Sequence, residues 1–287
     1  QIGGPGNGAP GAGNPADLTR GSVAYYDGGV PQHVNKTSAY VDQNQAYGSH
    51  ELVGQFLREG NGSGGLGAHL LAGAADPSNP AFKLLPTLRE LIQHHWANDT
   101  VFHDDGLPGG AATFRGYYAG LVDGNGVINE AMLPGMVSSF MGSTHALLLD
   151  TNPFISLLDH YVVGDGRGNE NIALTSMHTV WARNHNFHVD GLVAAGFAGT
   201  AEEVFQAAKI INESEYQRVV YTEFADMLIG GMKGSGSHGH EGYNPNATAG
   251  ISHEFAAAVY RVGHSLIGQT MTVLDANGEP QQVQLFD

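Results

Sequence analysis

The chain of 287 residues contains no cysteine. That excludes disulfides, zinc–thiolate sites, thiol catalysis and iron–sulfur clusters. Basic residues are scarce: 12 Lys and Arg stand against 28 Asp and Glu, a net charge of −16. A surface of that sign argues against general affinity for nucleic acid or anionic membranes. No apolar run approaches the roughly 18–20 residues of a transmembrane helix. No basic region followed by an apolar stretch reads as a signal peptide. No internal repeat of roughly 20–50 residues is visible, and alternating strand patterns are few.

Glycine and histidine are abundant instead. There are 42 Gly, where average usage would give about 20, so many loops and tight turns are expected. The 15 His outnumber Lys and Arg together. With no Cys, that excess points to imidazole ligands or pH-dependent chemistry, with surface histidines as the plainer alternative. The length allows one large domain or two small ones, and suffices to bury a core without staples.

Gln1 to Asn14 is mostly Gly, Pro, Ala and Asn, too poor in apolar surface to order itself. Residues 1–35 are expected to be a linker or loop, and 36–287 the folded part. Helical spacing then dominates. Pro86 precedes Leu88, Leu91, Ile92, His95 and Trp96 at helical intervals. Residues 172–194 carry Leu174, His178, Trp181, His185 and His188 near one face. Thr200 and Glu203 spell a capping box, and Gly230-Gly231 a stop. A further helix is expected over Ser252–Ile267, with Phe255, Val259, Val262 and Leu266 as its apolar stripe. Thr270–Leu274 and Gln281–Leu285 flank Asn277-Gly278 as one hairpin. The expected fold is mainly α, with long ordered loops and little β.

Several groups carry candidate chemistry. His178, His185 and His188 share a helical stripe; three imidazoles there can bind a divalent metal, or be hydrogen-bonded core residues. His94 and His95 are adjacent and point to different faces, as ordinary residues do. His238 and His240 lie in a Gly/Ser loop and suit a surface role. His264 sits in an apolar helical pattern, one turn after Arg261, with small residues at 256–258 and Gly263. An isolated buried His with clear space beside it suits an axial haem ligand, the alternative being a satisfied core histidine. Asp165-Gly-Arg167 reads either as a turn with Asn169 as helix cap and Glu170 in the first turn, or as an Arg poised to stabilise developing negative charge. Ser38, Tyr40, Asp42 and Asn44 place oxygen donors on alternate residues, which suits calcium or, more plainly, an Asx-turn; the EF-hand glycine and glutamate are missing.

Together these segments resemble the animal-type haem peroxidase (peroxidase–cyclooxygenase) superfamily, in its bacterial branch. The motifs are ordered over roughly residues 36–270. Ser38-Ala-Tyr-Val-Asp-Gln-Asn-Gln-Ala-Tyr-Gly-Ser49 with Leu57-Arg58 resembles the calcium loop. Gly164-Asp-Gly-Arg-Gly-Asn-Glu170 and Leu174 to Asn186 resemble the catalytic arginine loop and its helix. Phe205-Gln-Ala-Ala-Lys-Ile and Tyr221-Thr-Glu-Phe continue in register, and Ile251 to Ile267 resembles the proximal helix. Each motif alone is weak; four in the right order are specific.

The resemblance implies a secreted or cell-surface enzyme that binds haem b and calcium. Such an enzyme reduces hydrogen peroxide and oxidises a halide or small organic donor through a ferryl intermediate. It implies His264 as the proximal iron ligand, Arg167 as the distal catalytic arginine and Glu170 as the site of a haem ester. Asn171 in place of Met excludes a sulfonium link. Arg261 falls beside the haem, where related fatty-acid dioxygenases and cyclooxygenases carry a radical tyrosine, which favours peroxidase over dioxygenase. Ser38, the Tyr40 carbonyl, Asp42 and Asn44 match calcium ligands. The family's distal His-Asp segment has no counterpart in residues 1–35, and the Asn that orients the proximal imidazole would lie beyond Asp287. The chain is therefore expected to be a fragment, partnered by an upstream segment that carries the distal histidine. Alternatives are a fatty-acid dioxygenase of the same superfamily and a non-catalytic calcium-binding scaffold.

Overall fold

A computed structural model of the chain describes residues 23–33, 35, 37–230, 244–275 and 277–285. Gln1–Asn14, His238 and His240 lie outside the described residues.

The described residues open with a hairpin of β1 (Val23–Asp27) and β2 (Val30–His33). Gly28 and Gly29 form its two-residue turn, both with positive φ, the conformation such a turn demands. Strand structure therefore occurs inside the segment expected as linker. Two short helices follow, α1 (Asn44–Tyr47) and α2 (Glu51–Phe56), then the hairpin β3 (Arg58–Gly60) and β4 (Leu66–Leu70). Helix α3 (Leu88–Asn98) leads to a third hairpin, β5 (Val101–His103) with β6 (Ala111–Thr113). The short helices α4 (Phe114–Tyr117) and α5 (Leu133–Ser138) precede the long helices α6 (Ile172–Ala194) and α7 (Ala201–Val219). A π-helical turn, Val220–Phe224, joins α7 to α8 (Ala225–Ile229), which ends on left-handed Gly230. Past it lie α9 (His253–Ala257) and the antiparallel pair β7 (Thr270–Leu274) and β8 (Pro280–Gln284). The fold is mainly α, and its strands pair only two at a time.

Local chemistry explains the helices that the pattern anticipated. Thr87 accepts from the Glu90 amide while Glu90 returns a bond to Thr87 N, a complete capping box. Leu88, Leu91, Ile92 and His95 then point into the core at helical spacing. Thr200 and Glu203 repeat the device at α7. Helix α6 is capped by Asn171, whose side chain accepts from Leu174 N at 2.9 Å. Asn169, expected as the cap, instead grips the backbone of Tyr161 through both ends of its amide, and Glu170 stays exposed before the helix.

One expectation is corrected. The helix over Ser252–Ile267 is broken: α9 ends at Ala257, Ala258 leaves helical geometry, and Val259–Leu266 continues as a 3₁₀ segment. Its stripe of Phe255, Val259, Val262 and Leu266 is exposed, so no packing holds the longer α-helix together. Three hairpins besides β7–β8 are also present. Their strands are three to five residues long, too short to show alternation.

The core is one continuous cluster from Ala46 to Phe205. Phe56, Phe102, Phe114 and Phe140 meet at its centre, with Phe56 and Phe140 centroids 4.5 Å apart. His95 is fully buried among them and bonds Thr100 Oγ1 and the Phe56 carbonyl. A smaller cluster of Val189, Val204 and Ala208 seals α6 against α7.

Candidate functional site

The segment 38–49 folds back on itself ahead of α1. Ser49 Oγ accepts from Ser38 N at 3.1 Å and from Asn44 Nδ2 at 2.9 Å, closing the loop. Inside it, the Ser38 hydroxyl donates to Asp42 Oδ2 and accepts from Tyr40 N at 3.2 Å. The other carboxylate oxygen, Asp42 Oδ1, is buried with no hydrogen-bond partner. A buried unpaired carboxylate oxygen is costly, and a cation is one way to satisfy it. Gln43 takes a left-handed φ of 51° and is buried, its side-chain amide also unpaired.

The arginine loop lies against this segment. Gly164 N donates to the Gln45 carbonyl at 3.0 Å. A Cβ on Gly164 would run into the Asn44 carbonyl oxygen and the Gly48 nitrogen, so only glycine permits the approach. His178 on α6 donates from Nδ1 to the same Gln45 carbonyl at 2.9 Å. Three sequence-distant motifs thus converge on one carbonyl group. Within the loop, Asp165 accepts from Arg167 N and Nε at 2.9 Å and from Nη2 at 2.7 Å. Burial opposes ionisation of Asp165, yet the Arg167 guanidinium outweighs it and holds the carboxyl below its ordinary range. Arg167 is raised in turn by the Asp165 bonds, so its charge is permanent. Asp150 is pushed up by burial and by the Glu170 charge.

The α6 histidines are structural rather than a metal triad. His185 is buried, donating from Nε2 to Ala68 O at 3.0 Å and accepting on Nδ1 from the Tyr47 hydroxyl at 2.9 Å. Asn212 of α7 donates to that hydroxyl at 2.7 Å. His188 bonds Glu215 Oε2 at 2.9 Å. His94 accepts from Gly60 N at 2.5 Å. Among the described residues no group of three His, Asp or Glu side chains gathers to hold a metal ion.

His264 lies elsewhere. It is exposed on the 3₁₀ segment, not seated in a buried helix. Arg261 is exposed too and donates to Ala256 O at 3.2 Å. The structure therefore unites the 38–49 and 164–170 motifs, while His264 stands exposed and Arg167 is engaged by Asp165. A cavity of about 690 Å³ is lined by Ser38, Asp42, His50, Arg58, His145 and Lys209 among others, and by none of Arg167, Glu170, Arg261 or His264.

For haem, the residue types fit: an imidazole, a permanent cation and a carboxylate. Their placement among the described residues does not close a pocket, since His264 and Glu170 are exposed and Arg167 is engaged by Asp165. For calcium, the donors are hydroxyl, carboxylate, carbonyl and amide oxygens, and one carboxylate oxygen is buried and unpaired. That set fits a hard cation.

Other residues at the site were not anticipated. Lys209, Glu213 and Gln217 recur every fourth position on α7 and face the 38–49 segment. Gln217 Nε2 donates to Val41 O at 2.8 Å, and Lys209 Nζ sits 5.2 Å from the Tyr47 ring centroid. Their period was the available signal. His69 was also missed: Nδ1 meets Glu59 Oε1 at 3.0 Å and Nε2 meets Asp190 Oδ1 at 2.9 Å.

The animal haem peroxidase family model matches residues 143–287, just over half of the chain. The chain belongs to the animal haem peroxidase family. It is 37 % identical to the peroxidasin homolog of Mus musculus over 122 residues, covering 42 % of this chain and 8 % of that protein. It is 32 % identical to peroxinectin A of Dictyostelium discoideum over 118 residues, 41 % of this chain and 21 % of the relative. It is 30 % identical to human thyroid peroxidase over 118 residues, 41 % and 13 %. The chain thus spans less than a quarter of each of these relatives. In fold it is similar to peroxidase A from Dictyostelium discoideum, with a TM-score of 0.53 at 23 % identity, covering 85 % of this chain and 35 % of that one.

Proposed function

We propose that the protein carrying this chain is a haem-dependent peroxidase that reduces hydrogen peroxide and oxidises a halide or small organic donor outside the cytoplasm. The family match over 143–287 carries the reading, because it takes in Arg167, Glu170, Arg261 and His264 together. The haem would supply the iron at which peroxide is reduced.

The chain's own residues then have distinct parts. His264 would hold the iron through its imidazole. Arg167, permanently charged, would offset negative charge developing on peroxide oxygen. That role requires the guanidinium to turn from Asp165, which holds it in the loop at 2.7 Å. Glu170 presents an exposed carboxylate for an ester link. Arg261, in place of a tyrosine, favours peroxidase over fatty-acid dioxygenase chemistry. Ser38, the Tyr40 carbonyl, Asp42 and Asn44 would hold calcium, fixing the segment whose Gln45 carbonyl anchors the arginine loop. The distal proton acceptor is assigned to an upstream segment that carries the distal histidine, since residues 1–35 hold no counterpart of it.

The test is the absorption spectrum of the intact protein and of its His264→Ala variant. Loss or a large shift of the Soret band in the variant is expected. An unchanged band overturns the ligand assignment, and an intact protein without haem at full calcium loading favours a calcium-binding scaffold.

A further inference from the structure

We propose that Glu213 of α7 supplies a carboxylate ligand to the calcium ion of the 38–44 loop. This rests on reading that loop as the calcium site.

The placement comes from the helix. Lys209, Glu213 and Gln217 lie one turn apart on a single face of α7. The two outer members touch the loop segment at opposite ends: Gln217 bonds the Val41 carbonyl at 2.8 Å, and Lys209 lies over the Tyr47 ring. Glu213 lies between them on the same face of α7, with Lys209 Nζ 3.6 Å from its Oε1. Its side chain is only 19 % exposed, although it is charged.

On the loop side stands a buried and unpaired acceptor. Asp42 Oδ2 is taken by Ser38, whereas Asp42 Oδ1 has no partner. A second carboxylate on the facing helix would be repelled by Asp42 unless a cation lay between the two. Lys209 offsets part of this from 3.6 Å, on the Glu213 side. A divalent cation held by Asp42, Glu213, the Ser38 hydroxyl and neighbouring carbonyl or amide oxygens balances both charges. The donors are all hard oxygens on a loop and a helix, an irregular arrangement that suits calcium better than octahedral magnesium. The sequence motif alone could not show this ligand, because Glu213 lies some 170 residues further along the chain.

The experiment is titration of calcium chloride onto the chelator-treated intact protein, followed by calorimetry and by thermal melting. The parent is expected to bind calcium and to melt at higher temperature with it. Glu213→Gln should bind at least about tenfold more weakly and lose most of that thermal gain, as removal of a charged ligand does. Lys209→Met should bind no more weakly than the parent, because a competing cation has gone. Parent-like affinity in Glu213→Gln, with binding lost in Asp42→Asn, overturns Glu213 as ligand while leaving the loop assignment intact. If the parent itself binds no calcium, the loop assignment fails and the proposal with it. If Lys209→Met loses calcium affinity along with Glu213→Gln, the two act as a structural ion pair and the proposal is overturned.

Discussion

Most of the buried histidines here act as hydrogen-bonding core residues, and their titration follows from their partners. Burial holds His95 at about 3 and His185 at about 4. Each is neutral when folded and basic when unfolded, so each stabilises the fold above about pH 6.5. That contribution is lost as pH falls from there toward the folded values. His69 has the opposite sign. The Glu59 and Asp190 carboxylates outweigh burial and raise it from 6.5 to about 9. Its contribution is complete below about pH 6.5 and disappears as pH rises through about 9. An NMR titration of the His69 imidazole should show a midpoint near 9, and His69→Gln should flatten the stability decline between 6.5 and 9. A midpoint near 6.5 would refute the clamp. Tyr47→Phe removes the donor to buried His185 Nδ1. Leaving that acceptor unpaired should cost about 2 kcal/mol in urea denaturation. The sequence showed these imidazoles as a stripe on α6 and offered both metal and core roles. Partners decide between the two roles, and Tyr47, Ala68 and Gln45 are too far away in sequence for spacing to reveal them.

At the scale of elements, the well-predicted pieces are those whose signals are local. Thr200–Glu203 marks a helix start through contacts three residues apart and forms as spelled, and Thr87–Glu90, which the reading from Pro86 passed over, forms a second such box. Thr200→Ala should lower stability by about 1 kcal/mol, read as a shift of the denaturation midpoint at constant slope. The broken helix after Ser252 fails for a non-local reason. Its apolar stripe has no surface to pack on among the described residues, so periodicity alone cannot hold α geometry through Ala258. The contact between the arginine loop and α1 is likewise non-local, and glycine is its condition. Gly164→Ala places a methyl group against backbone atoms of Asn44 and Gly48, which cannot rotate away. A loss of about 1–3 kcal/mol is expected, as for overpacking elsewhere, together with weakened calcium binding as the 38–49 segment is pushed out. A fully stable Gly164→Ala protein with parent calcium affinity would show that the two motifs are not mechanically joined.

Across the whole molecule, burial is unevenly distributed. The buried residues run from Gln43 to Asn212, and none of the described residues from Glu213 onward is buried. Phe224, Met227, Val259, Tyr260, Val262 and Leu266 are all at least 59 % exposed. The 42 Gly predicted loops well, and the acidic balance matches a surface with few cations. Neither count foretold that the proximal-type motif would lie outside the packed core, because composition carries no information about which segments bury one another. Local stability should follow burial, since amides open most readily where few apolar contacts hold them. Hydrogen exchange on this chain should therefore be slowest in α3 and in the middle of α6, around His178–Val189, where fully buried side chains line the helices. It should be fastest over 253–266, where α9 and the 3₁₀ segment stand exposed. If haem binds through His264 as proposed, adding haem to the intact protein should slow exchange selectively in 253–266 and in the 164–170 loop. Protection unchanged in both segments would mean that the ligand, if bound, uses other residues. Protection in 253–266 alone would confirm the imidazole and remove Arg167 from the site.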